Sequence, residues 1–346
     1  MKNLFSIIMM ALGVGSCSAQ ESFESVSAIR FAEIIDSMDV QLVDVRTAKE
    51  YAEGHIANAV NMDVLETDFK SQIEKLDKQK KVAIYCRSGR RSKTAASILA
   101  KDGFDVVELS TGYIGWTKTF PYPAQTFLTA NGKRLWIALV NHGSLALKYG
   151  EKWILVDPVS DFYGKKIDYS CFPKADIILI THEHGDHLHK ATIDALAKAD
   201  TKLLLNVTSQ KQIGVGETVA NGDQKTFDGI AIKAVPAYNT TPGREKFHPK
   251  GNGNGYLLYF GGLKVYISGD TENIQEMSDL KSENIDVAFL SVNQPYTMTP
   301  EQCIDAATRL QPRILIPYHM GDTDMLKIQQ GLEGSDIDVR LFEVLR

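Results

Sequence analysis

One seven-residue stretch, Thr181-His182-Glu183-His184-Gly185-Asp186-His187, constrains this chain more than any other part of it. An apolar run, Asp176 to Ile180, leads into it and reads as a buried strand, and a helical pattern over Lys190 to Ala199 follows. Imidazoles and carboxylates therefore crowd onto a strand-to-helix turn. A lone histidine there would be an ordinary core residue. Three with an aspartate form a set of nitrogen and oxygen donors suited to zinc, manganese or iron. His189 continues the run out of step with the spacing and reads as a surface residue.

The turn lies in the second of two units. Strand-like pieces surround it at Arg134 to Val140, Leu145 to Tyr149, Trp153 to Val156, Lys202 to Asn206, Ile230 to Val235, Gly255 to Phe260, Lys264 to Ser268, Val287 to Ser291 and Ile314 to Pro317. Helices are few, which suggests a two-sheet sandwich covered by helices. Thr299-Pro300-Glu301-Gln302 opens one of them with a capping box and a proline at its first position. Upstream, helix-like and strand-like pieces alternate at Ala28 to Met38, Gln41 to Val45, Lys81 to Cys86, Ser92 to Lys101 and Val106 to Leu109, the pattern of a parallel sheet with flanking helices. Phe120-Pro121-Tyr122-Pro123 breaks all periodicity, so a linker is expected over 121–127, between units at 24–120 and 128–346.

Hydrophobic residues make up 44% of the 346 and charged residues 23%, enough for two packed cores without staples. The net charge of -5 gives no basic footprint, so nucleic acid is not expected as a partner. Residues 1–19 read as a secretory signal: Lys2, then an apolar run from Leu4 to Val14 too short to span a bilayer, then small residues. Export to a periplasmic location is expected. Val14-Gly15-Ser16-Cys17 fits a lipobox that would make Cys17 a lipid anchor, while Cys17-Ser18-Ala19 would suit an ordinary signal peptidase.

The other cysteines are Cys86, Cys171 and Cys303. Cys303 sits among apolar residues on the capped helix and reads as buried and inert. Cys86-Arg87-Ser88-Gly89-Arg90-Arg91-Ser92 differs, because it lies between a strand and a helix start. Backbone N–H groups, the helix N-terminus and three arginines there favour a thiolate and cradle an anion such as a sulfur oxyacid.

With Leu42-Val43-Asp44-Val45-Arg46, Gly54-His55-Ile56-Ala57-Asn58-Ala59, Asn61, Gly112-Tyr113 and Trp116, this loop makes the first unit resemble the rhodanese family. The resemblance implies an α/β domain in which Cys86 accepts a sulfane sulfur as a persulfide, from a donor such as thiosulfate, and passes it to a nucleophile. Arg87, Ser88, Gly89, Arg90 and Arg91 would hold the anionic donor. Asp44 and Arg46 would support the loop, and His55 would pack.

The second unit resembles the metallo-β-lactamase superfamily through His182-x-His184-x-Asp186-His187, Gly269-Asp270-Thr271 and Pro317-Tyr318-His319. That implies an αββα sandwich and two divalent ions, zinc first among them. His182 and His184 would hold one, Asp186 and His187 a second, Asp270 would bridge, and His319 would complete the second. A hydroxide would then attack a carbonyl or phosphorus centre of a small-molecule substrate. Asn141-His142-Gly143-Ser144, Asp157-Pro158 and Tyr296-Thr297-Met298 look like the branch that includes ascorbate-phosphate lactonase, where His142 contacts substrate or supports the metal shell, the other reading being an ordinary loop residue. The superfamily supplies a further histidine to the first ion where this chain has Pro236-Ala237-Tyr238-Asn239, so His248, on a glycine-rich loop, or Asn239 would stand in.

The joint reading is a sulfurtransferase fused to a metallohydrolase that cleaves an ester, lactone or phosphate-bearing molecule. Two rivals remain at this stage: an iron-dependent enzyme of persulfide metabolism, and a binding protein with a degenerate metal site.

Overall fold

The computed structural model describes residues 23–35, 40–56 and 58–341. The signal-like segment, with Cys17, lies outside the described residues, as does the expected helix end at Met38.

The first unit is built on five strands in the order Glu24–Val26, Val106–Leu109, Lys81–Tyr85, Val40–Asp44 and Val60–Asn61, every pair parallel. Val82, Ala83, Ile84 and Tyr85 are all fully buried. Such an unbroken apolar run is what a parallel strand covered on both faces requires. The helix after it, Arg90–Lys101, begins earlier than Ser92 because Gly89 takes the left-handed conformation (φ 91°) at its N-cap. Gly89 is needed on a second count: a Cβ there would lie 2.3 Å from the Ser110 carbonyl oxygen.

The second unit is a four-layer sandwich with two seven-stranded sheets at its centre. Between the sheets lies a core that includes Leu135, Ile137, Leu147 and Leu179 from one and Tyr256, Phe289, Ile316 and Tyr318 from the other. Helices Gln275–Asp279, Pro300–Leu310 and Leu326–Gly331 cover one outer face, and Lys190–Leu196 the other. Each sheet is antiparallel at one side and parallel at the other. The strands Lys152–Val156, Ala175–Leu179, Leu263–Ile267 and Ile314–Tyr318 all deliver their carboxyl ends to loops carrying ionisable residues: Asp157, His182 to His187, Asp270 and His319.

Two expectations need correction. The linker is shorter than 121–127, since Ala124–Leu128 is an edge strand paired antiparallel with Arg134–Asn141. Pro121 and Pro123 stop just before it, and the Tyr122 ring is already stacked on Phe172 of the second unit. The helix expected to reach Ala199 ends at Leu196, and Ala197–Leu205 is a strand. Ala197 pairs with Ala175, and the ladder resumes with Lys202 opposite Ile177. Alanine and lysine carry helix propensity in isolation, but parallel pairing overrides it.

Candidate metal centre

Thr181 and Asp157 set the geometry of the histidine turn. Asp157 is buried at the end of its strand and accepts from the Thr181 hydroxyl at 2.6 Å and backbone N–H at 2.8 Å. Its Oδ2 also takes His187 Nδ1–H at 2.7 Å. Thr181 spends its hydrogen on Asp157, so its oxygen must accept from His182 Nδ1, 3.0 Å away. Both rings are thus held with Nε2 facing the cleft. This outer-shell control of tautomer is typical of metal-binding histidines. Burial opposes charge on His187, but Asp270 and Asp157 outweigh it and raise the imidazole well above its usual range, drawing positive charge to Nε2, where a metal ion would replace the proton.

His248 arrives on the loop after Ala237. Its Nδ1 lies 3.1 Å from the Tyr296 carbonyl, which can only accept, so Nδ1 carries the proton and Nε2 a lone pair. Asn239 does not point into the cluster. Its amide donates to the Tyr296 carbonyl at 2.7 Å and its Oδ1 sits 3.3 Å from His248 Nδ1, behind the ring.

His182, His184 and His248 form one set whose ligand atoms lie within 4.8 Å of one another; His142, Asp186 and His319 form another; His182, His187 and Asp270 form a third, which shares His182 with the first. His182 Nε2 is 3.0 Å from His184 Nδ1. Across the cleft His187 Nε2 is 3.2 Å from His319 Nε2. The Asp270 carboxylate lies between, with Oδ2 3.3 Å from His248 Nε2 and 3.2 Å from His319 Nε2, and Oδ1 3.4 Å from His187 Nε2. These spacings match the roughly 3.4 Å between donors bound tetrahedrally at about 2.1 Å. Buried His248 Nε2 and Asp270 Oδ1 have no hydrogen-bond partner. A buried lone pair left without a partner is costly unless a cation takes it, so the donor set fits metal ions.

Burial works against charge on Asp270, but His319 and His187 hold its carboxyl well below the usual range. Burial first, then His319, pushes His142 down to about 4. His142 lies with its ring 3.6 Å from that of His319 and its Nε2 3.5 Å from Asp186 Oδ2. The residue after it must be glycine, since a Cβ on Gly143 would lie 2.6 Å from the His187 ring.

Glu183, between two of the histidines, turns away from the cluster. It accepts from Asn252 Nδ2 at 2.8 and 3.0 Å and from Asn206 Nδ2 at 3.2 Å, tying the His248 loop to the histidine turn. The cleft above has a volume of about 750 Å³ and is walled by Phe162, Tyr163, Phe247 and Tyr296 among others. Glu183, Asp157 and Tyr296 lie inside motifs read from the sequence, but nothing there gives them these roles, and Phe162, Tyr163 and Phe247 carry no spacing rule at all.

In the first unit Cys86 is a free, buried thiol at the carboxyl end of its strand. Ser92 Oγ lies 3.3 Å from its sulfur and donates to the buried Glu108 carboxylate at 2.7 Å. Arg87, Ser88 and Arg90 are exposed around it. Arg91 is engaged elsewhere: its guanidinium grips Glu50 with two bonds of 2.7 Å, so it braces the loop. Asp44 and Arg46 form a buried pair, and Arg46 also holds the Gly54 carbonyl. His55 is exposed and stacks on Tyr51. Cys303 is buried, which pushes its thiol up, and Cys171 is pushed up to about 11 by burial and Asp168.

The profile of the beta-lactamase superfamily domain matches residues 137–319, more than half of the chain. The chain belongs to that superfamily. Residues 27–119 match the rhodanese-like domain, so a rhodanese-like unit precedes the superfamily domain. A UPF0173 metal-dependent hydrolase of Thermococcus kodakarensis is 32% identical over 191 residues, 53% of this chain and 83% of its own length. A crystal structure from Parabacteroides distasonis, described as a metal-dependent hydrolase, is 53% identical and covers 65% of this chain and 100% of its own, with a TM-score of 0.62. The metallo hydrolase Igni18 of Ignicoccus hospitalis shares the fold at 23% identity, covering 61% of this chain and 96% of its own, with a TM-score of 0.52. The superfamily domain here is a metal-dependent hydrolase with candidate His and Asp metal sites.

Proposed function

We propose that this domain holds two divalent ions and hydrolyses an ester, lactone or phosphate-bearing small molecule. His182 Nε2, His184 Nδ1 and His248 Nε2 would hold one ion; Asp186, His187 Nε2 and His319 Nε2 the other, with Asp270 between them. The observation that carries this reading is the Asp270 carboxylate, within 3.3 Å of nitrogens from both sets. Such ions supply Lewis acidity, lowering the pKa of water and polarising a carbonyl or phosphoryl oxygen. Zinc suits the nitrogen-rich donors best, with manganese and iron compatible. His142, over Asp186 at the cleft wall, would contact substrate. The complete three-histidine set also weighs against a degenerate site. The test is substitution: Asp186→Ala should abolish hydrolysis and leave the fold intact, and retained turnover would refute the assignment.

For the rhodanese-like domain the proposed activity is sulfur transfer. The Cys86 thiolate attacks the outer sulfur of thiosulfate, the S–S bond breaks and sulfite leaves with the electron pair. The persulfide then yields its outer sulfur to cyanide or a thiol, restoring the thiolate. Exposed Arg87 and Arg90 would receive the donor's charge. Export, with Cys17 lipidated or removed, is proposed from residues 1–19 alone; fractionation and mass of the mature chain would test it.

A further inference from the structure

The metal cluster and its supports leave the mouth of the cleft unexplained. A hairpin there pairs Asp161 with Lys166 and Phe162 with Lys165, turning through Tyr163 (φ 48°) and Gly164 (φ 87°). Two consecutive positive φ angles make a turn of the kind that favours Asn-Gly. A bulky tyrosine in the first position is an outlier. The residue is nevertheless 81% exposed. A large ring held in unfavourable backbone and left in water points to a role other than forming the turn.

That ring packs edge-on against Phe162 at 4.9 Å, and Phe162 in turn lies 4.8 Å from His142. A second pair stands beside the other set of donors: Phe247, which precedes His248, lies 5.1 Å from Tyr296, itself 46% exposed. All four rings line the one cleft whose floor is the cluster. One pair is built onto the set with Asp186 and His319, the other onto the set with His248, so a group bound over the cluster meets an aromatic wall on each flank.

We propose that the substrate carries an aromatic ring next to the bond that is cleaved, clamped between the Phe162–Tyr163 and Phe247–Tyr296 pairs. This rests on the hydrolase reading and narrows its substrate class. Ring-on-ring contact rewards flat groups beyond their apolar area, and the cleft is of ordinary size for a small ligand.

The test is calorimetric binding of benzylphosphonate, cyclohexylmethylphosphonate and methylphosphonate to the metal-loaded full chain. Benzylphosphonate should bind about tenfold tighter than methylphosphonate and several-fold tighter than the cyclohexyl probe. Tyr163→Asn puts the residue the turn prefers at the strained position, so it should keep or raise the melting temperature while cutting the preference to about twofold. Tyr296→Ala should do likewise with metal content unchanged. Equal affinity for the three probes, a tenfold preference that survives both substitutions, or binding of none of them would overturn the proposal. Hydrolysis without ring preference would sink this subsite alone. Ring preference without hydrolysis of any ester, lactone or phosphate ester would sink the hydrolase reading and leave an aromatic binding subsite.

Discussion

At the scale of single residues, second-row side chains decide how the donors face. Glu183 is the clearest case, because losing its bonds to Asn252 and Asn206 frees the loop that carries His248 while touching no donor directly. Glu183→Ala should therefore weaken one ion's binding by about 10- to 100-fold and spare the other. Competition against a chelator would show this as two separated affinities; equal retention of both ions would contradict it. The Arg91–Glu50 pair gives a pH prediction. Arg91 and the Thr47 N–H hold the Glu50 carboxyl down at about 2, against an ordinary 4.5. A carboxyl depressed in the folded state stabilises fully above the unfolded value and loses that contribution as pH falls. The rhodanese-like domain should lose stability between pH 4.5 and about 2, and Glu50→Gln should flatten that slope in acid melts. At this scale the histidine turn and the Cys86 loop are legible from their own residues, whereas Asp270 and His319 enter only through the resemblance to the metallo-β-lactamase superfamily. Asn239 was named because a position in a pattern is visible, whereas the direction of its amide toward Tyr296 is a three-dimensional fact.

At the scale of elements, the capped helix Pro300–Leu310 follows from its first residues. Thr299 accepts from Gln302 N–H, and Gln302 accepts from Thr299 N–H in return. Thr299→Ala should cost about 1 kcal/mol, read as a lower denaturation midpoint with hydrolysis unchanged; an unchanged midpoint would show the cap to be dispensable. The buried strand Val287–Ser291 was legible to the residue, because burial on both faces writes an apolar run; Val106–Leu109 was legible too, although the buried Glu108 interrupts it. Short strands such as Glu217–Thr218 and Lys165–Lys166 were not. They are polar and partly exposed, so neither alternation nor apolarity marks them.

At the scale of the whole molecule, the two chemistries sit on separate sheets with separate cores, the thiol at the end of Lys81–Tyr85 and the donor cluster at the strand ends of the sandwich. Cys86→Ser should abolish sulfur transfer from thiosulfate and leave hydrolysis at the wild-type rate, while Asp270→Ala should do the reverse. A loss of both activities in either variant would mean that the sites share an intermediate. Beneath both predictions lies the claim that six side chains and Asp270 hold two ions. Elemental analysis of the purified full chain, after dialysis against metal-free buffer, tests it directly. Close to two divalent ions per chain is the expected result, falling well below that in Asp270→Ala; a single ion per chain, or none after reconstitution, would contradict it.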